Sequence, residues 1–137
     1  MNTEFSFAAQ NFADITSKLI IFNPNILYRL VSTSFISQSE KRKYPVQIAR
    51  AGSSDEISEI KIPDGYEIEE LPKNFEIKED FAYYKINCYF KDGIIYLSRH
   101  SETNSILLPP ESYPRFKKFY ETVAYKDNEK VVLRKIN

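Results

Sequence analysis

The chain has 137 residues, 42% of them hydrophobic and 15% aromatic, and its 19 Lys/Arg balance 19 Asp/Glu. This is ample material for the core of one domain and excludes global disorder. One cysteine (Cys88), one histidine (His100) and three glycines leave too little for most catalytic constellations, for a four-ligand zinc site or for a glycine-rich phosphate cradle.

The neutral total hides a segregated pattern. Residues 1–50 carry six Lys/Arg against three Asp/Glu, residues 51–80 three against ten, and residues 81–137 ten against six. A nucleic-acid binder shows a basic excess over a whole face. An acidic middle between basic ends suits cross-strand pairing equally well, and no nucleic-acid partner is expected. A single cysteine cannot form an intramolecular disulfide and so assigns no redox compartment. Met1-Asn2-Thr3-Glu4 lacks a basic region and Gln10, Asn11 and Asp14 interrupt any apolar run, so no secretory signal is read. The apolar runs are too short to predict membrane insertion.

In chain order, residues 1–15 are a weakly specified lead-in with a short strand signal at Phe5-Ser6-Phe7. Residues 16–137 read as one β-rich domain. Lys18–Phe22 and Ile26–Val31 are β-rich runs split by Asn23-Pro24-Asn25, which is turn chemistry. Residues 32–43 read as a loop. Tyr44–Ile48 reads as an edge strand, because Pro45 removes a ladder donor. Gly52-Ser53-Ser54-Asp55 predicts a turn, followed by a strand over Ile57–Ile62 and a turn at Pro63-Asp64-Gly65. Strands follow over Tyr66–Leu71, Phe75–Lys78 and Phe81–Lys91. Lys91-Asp92-Gly93 makes a hairpin into Ile94–Arg99, with a further strand at Ser105–Leu108.

One helix is expected, over 112–126. Pro109-Pro110 halts the preceding run, Ser112 or Tyr113 can cap, and Pro114 suits the first turn. Tyr113, Phe116, Phe119, Tyr120 and Val123 recur at helical spacing. Asp127-Asn128 ends it, before a last strand at Val131-Val132-Leu133. Many antiparallel strands with one late helix predict a mainly-β, antiparallel β-sandwich-like domain with a C-terminal helix, with α+β as the alternative.

Two stretches carry a family resemblance: IKIPDGYEIEELP at 60–72 and LPPESYPRFKKFYETVAYKDNEKVVLRKI at 108–136, with KRKYPVQI at 41–48 as an entry segment. They resemble the C-terminal domain of unknown function that follows a transglutaminase-like core in Bacteroidetes proteins, over about residues 16–136. The resemblance implies a non-catalytic accessory domain with a structural or protein-interaction role. It implies a transglutaminase-like core or another envelope protein as partner, and a bacterial envelope or periplasmic setting. The core, with its catalytic residues, is expected to lie outside this sequence, and no family catalytic residue maps onto it. The motifs are structural signatures, so no cofactor and no metal ligand is expected either.

Each candidate site residue has an ordinary alternative. Tyr84, Ile86, Cys88 and Phe90 share one strand face by period two, so Cys88 reads as an inert core thiol. His100 reads as a solvated residue just past a strand. Glu67 and Glu69 alternate with Ile68 as a solvent face does, and together with Asp64 and Glu70 they do not match a calcium loop. Arg115, Lys117, Lys118 and Lys126 read as the wet flank of a helix docked through its aromatic stripe. Tyr83 and Tyr89 lie opposite Cys88, and Tyr96 pairs near them across the hairpin. These three tyrosines are the one candidate ligand face, for a glycan or a peptide. Residues 15–31, rich in Ile and Leu, are a candidate homodimer contact.

Overall fold

The Asp-Gly pair organises the largest sheet. Asp92 and Gly93 both have positive φ, 51° and 79°, the left-handed pair that a two-residue hairpin turn requires to match the strands' twist. In the computed structural model, which describes residues 3–4, 6, 12–26, 30 and 42–137, this turn joins β7 (Ala82–Lys91) to β8 (Ile94–Thr103). Their register is unbroken from Lys91↔Ile94 to Ala82↔Thr103. With β4 (Gly52–Lys61) beside β8 and β6 (Phe75–Lys78) beside β7, the sheet has the order β4-β8-β7-β6.

The second sheet draws on both ends of the chain. It contains β1 (Asp14–Ile15), β2 (Leu19–Phe22), β5 (Tyr66–Glu70) and β10 (Val131–Lys135), in the order β1-β2-β10-β5. Gly65 has φ 86°, which the turn before β5 needs, and its carbonyl accepts from Ile136 N–H at 2.8 Å. β3 (Val46–Ile48) and β9 (Ile106–Leu108) form a third, two-stranded antiparallel sheet. The helix, α1 (Tyr113–Asp127), follows a short 3-10 turn at Pro110–Ser112 and carries Pro114 in its first turn. About half of the chain is strand, so the domain is mainly β with a single C-terminal helix, as expected.

The buried sides of both four-stranded sheets and of α1 meet in one hydrophobic cluster. Alternation along β7 buries Ala82, Tyr84, Ile86 and Cys88, and β8 contributes Ile95 and Leu97. Ile20 and Phe22 of β2, Val131 and Leu133 of β10, and Phe119 and Val123 of α1 complete its centre. Phe81 anchors the helix, with its ring centroid 5.3 Å from that of Phe119 in an edge-on arrangement.

Two expectations fail at the edge of the large sheet. Gly52–Asp55 is strand rather than turn, because these residues continue the β8 ladder as far as Gly52↔Thr103. Ser54 and Ser101 hydroxyls bond at 2.9 Å across it, so the pairing partner overrides a weak local preference. For the same reason β8 runs four residues past Arg99, and His100 lies inside a strand. The strand signals at Phe5–Phe7 and Ile26–Val31 and the loop at 32–43 fall largely outside the described residues, as do residues 27–29 and 31 of the candidate dimer contact. Of that contact, Ile15 on the edge strand β1 is 70% exposed.

Candidate functional site

The outer face of the large sheet shows what the chain offers to solvent. Odd residues of β7 and even residues of β8 point outward, away from the core. Tyr89 and Tyr96 are cross-strand partners, and their rings stack with centroids 4.9 Å apart and planes 16° apart. Tyr89 is 54% exposed. Tyr83 lies on the same face but six residues further along β7, about 20 Å away. Its hydroxyl donates to Glu76 at 2.6 Å. The structure therefore brings Tyr89 and Tyr96 together and leaves Tyr83 in a separate group.

That separate group is built around His100. Nδ1 lies 2.5 Å from Asp55 Oδ1 and Nε2 lies 3.0 Å from Glu102 Oε1, and the Tyr83 ring is 5.7 Å away. Two carboxylates on opposite sides of the ring suit the doubly protonated imidazolium, which donates to both. The hydrogen bond to Asp55, then the one to Glu102, raises the His100 pKa above the ordinary histidine value. Both ring nitrogens are engaged by carboxylates, so neither is left open as a free base.

A second polar centre lies in the core. Asp127, the last residue of α1, is fully buried. Its Oδ1 accepts from Arg99 Nε at 2.8 Å, Tyr84 Oη at 2.8 Å and Asn25 Nδ2 at 3.0 Å. Its Oδ2 accepts from Arg99 Nη2 and from the Leu30 backbone N–H, both at 2.8 Å. Its backbone carbonyl accepts from Asn23 Nδ2 at 3.0 Å. A carboxylate at a helix C-terminus opposes the helix dipole, and the bidentate Arg99 guanidinium offsets this.

The cluster joins α1, β7, β8 and the segment after β2. Glu56 is its weaker member, 3.4 Å from Arg99 Nη1, and its pKa is raised because desolvation outweighs the attraction of Arg99. Burial also raises the Tyr84 phenol, with Asp127 adding to the effect. Beside the cluster is a cleft of about 220 Å³, lined by Tyr84, Arg99, Ser101, Phe119, Tyr120 and Val123 among others. Among the described residues no buried side-chain polar atom lacks a partner, and no cluster of His, Cys, Asp and Glu is arranged to hold a metal.

The remaining sequence candidates have structural surroundings. Cys88 is 8% exposed and desolvation pushes its thiol up to about 11, away from reactivity. Phe90, placed with it on the core face, is 40% exposed at the hairpin end. Glu67 pairs with Arg134 across β5 and β10, and Glu69 lies 3.2 Å from the same guanidinium. On the helix flank, Arg115 bonds Glu79, and Lys126 bonds Glu129 while lying 4.8 Å from the Phe75 ring centroid. The acidic middle segment is thus paired with the basic C-terminal one, through Asp55–His100, Glu56–Arg99, Glu67–Arg134 and Glu79–Arg115.

The sequence reading missed Arg99, Asp127, Asn23 and Asn25. One signal was present: Arg99 continues the Ile95, Leu97 alternation, and a charge at a core-facing strand position demands a buried partner. Its partner, 28 residues away on a helix end, carried no comparable signal.

Comparison with known proteins agrees with this architecture. Residues 18–133 match the family described as Domain of Unknown Function with solved-structure structure (DUF3858). No curated protein matches the chain. Among solved structures, a "putative protease" from Parabacteroides distasonis ATCC 8503 is similar in fold, with a TM-score of 0.67 at 14% identity. The match covers 86% of this chain and 24% of that protein, so the chain spans about a quarter of its length.

Proposed function

Because the chain belongs to the DUF3858 family, we propose that it is a non-catalytic accessory domain with a structural or protein-interaction role, of the kind that follows a transglutaminase-like core. The observation that carries this reading is the use made of the polar residues. In the strongest candidate for a reactive centre, Asp127 with Arg99, the carboxylate is fully buried and both of its oxygens are taken by donors of the fold. His100 is clamped between two acids, and the single thiol is buried. These arrangements stabilise a scaffold and, among the described residues, set no activated nucleophile beside a base. A unit of this size that recurs as a quarter of a longer protein suits a domain that positions or braces a neighbour.

The test is a calorimetric titration of the purified chain into a separately expressed transglutaminase-like core from a Bacteroidetes protein, paired with a hydrolysis assay of the chain on peptide and ester substrates. Saturable binding and no turnover above the blank are expected. Turnover by the chain that a folded His100→Asn variant loses would overturn the reading.

A second reading rests on the exposed Tyr89–Tyr96 stack: a glycan- or peptide-binding module. A stacked aromatic pair on a sheet surface offers an exposed ring face and apolar ring edges to a sugar ring or a peptide. Oligosaccharide binding that Tyr89→Ala abolishes would favour it over the accessory role.

A further inference from the structure

We propose that the free edge of β4 is a docking site for an extended strand of a partner polypeptide, one that carries Lys or Arg on either side of an apolar residue. The proposal deepens the accessory-domain reading and rests on it.

The ladder settles which backbone groups are free. Ile62 N–H donates to Gly93 O at 3.0 Å, and the same register continues without a shift from Lys61↔Ile94 to Gly52↔Thr103. Hydrogen-bonded pairs alternate along an antiparallel ladder. Ile60, Ser58, Glu56, Ser54 and Gly52 therefore turn their N–H and C=O groups toward β8. Ser53, Asp55, Ile57, Glu59 and Lys61 turn theirs outward, and among the described residues no strand pairs with that side. Proteins blunt such edges by keeping them short, or with proline, bulges or lysines. β4 is ten residues long, without proline, with an unshifted register and with one lysine, at its end. An edge of this length is a template for strand addition.

The side chains specify the partner. Asp55, Ile57 and Glu59 share the outer face, and Ile57 is 76% exposed between the two acids. A strand added antiparallel places one residue opposite Ile57 and its second neighbours opposite Asp55 and Glu59. The complementary pattern is basic–x–apolar–x–basic. A second copy of this chain is a poorer occupant, because antiparallel self-pairing centred on Ile57 sets Asp55 of each copy opposite Glu59 of the other.

The test is a titration of the ¹⁵N-labelled 137-residue chain with the peptide TTKTVTKTT, blocked at both ends, and with its charge-reversed counterpart TTETVTETT. The lysine peptide is expected to shift the amides of residues 53–59 and to slow exchange at 55, 57 and 59. The glutamate peptide is expected to bind at least tenfold more weakly. Ile57→Pro removes one outward N–H and no β8 bond, and is expected to weaken lysine-peptide binding at least tenfold. The double variant Asp55→Lys/Glu59→Lys serves if Ile57→Pro does not fold, and is expected to reverse the peptide preference. No shifts at millimolar peptide, equal binding of both peptides, or a dimer in light scattering that Ile57→Pro dissociates would each overturn the proposal. A transglutaminase-like core that binds the parent and Ile57→Pro equally overturns the edge while leaving the accessory role standing. Specific peptide binding without binding of such a core supports the edge and removes the accessory reading.

Discussion

Replacing Asp127 by asparagine changes almost no volume but removes the charge on which the interior polar cluster converges. The Arg99 guanidinium, 8% exposed, would keep Glu56 at 3.4 Å as its remaining carboxylate partner. The asparagine amide would also turn an NH₂ toward donors where the carboxylate had two accepting oxygens, so at least one of Tyr84, Asn25 and the Leu30 N–H loses its acceptor. Breaking a buried ion pair by removing one partner costs about 3–5 kcal/mol. For 137 residues the unfolding entropy near the midpoint is about 0.29 kcal/mol/K, so the melting temperature should fall by about 10–17 °C. The assay is thermal unfolding followed by circular dichroism, checked by urea titration. The pair Arg99→Met/Asp127→Leu should lose clearly less than the sum of its two single variants, because it leaves no uncompensated buried charge. A loss below about 1 kcal/mol for Asp127→Asn would refute the view that this cluster locks the helix to the sheets.

Glu56→Gln should stay within about 1 kcal/mol of the parent in the same urea titration, because its desolvation already outweighs its attraction to Arg99. His100 should titrate above the ordinary value of about 6.5 in a proton NMR pH series, and Asp55→Asn should bring it down. With the folded pKa raised, its contribution to stability is complete below the unfolded pKa and is lost as pH rises through the folded one. Cys88, pushed up to about 11 by burial, should react with a disulfide reagent at pH 8 far more slowly in the native chain than in denaturant.

Strand positions were legible where local chemistry and burial agree. Period-two alternation along 82–88, the Asp-Gly hairpin and the helical stripe from Tyr113 to Val123 each express one local rule, and each is where the sequence places it. The reading failed where a distant partner decides. Gly52–Asp55 looks like a turn until β8 is beside it. Asp127 looks like a helix stop, and Asn23 and Asn25 look like turn residues, until a fold with contacts about 100 residues apart in sequence brings both asparagines onto Asp127, which in turn holds the Arg99 guanidinium. The tyrosine face was half legible: the hairpin register joins Tyr89 to Tyr96, but strand rise puts Tyr83 beyond reach. The acid–base segregation along the chain gave the clearest long-range signal, because strands of opposite charge became neighbours.

The most direct measurement is hydrogen–deuterium exchange of the chain alone and in the presence of a transglutaminase-like core. An accessory domain that docks through its large sheet should show new protection over residues 52–61, with exchange around Asp127 and Arg99 unchanged. Protection centred on the cleft between Arg99 and Tyr120, or no protection anywhere, would contradict the account.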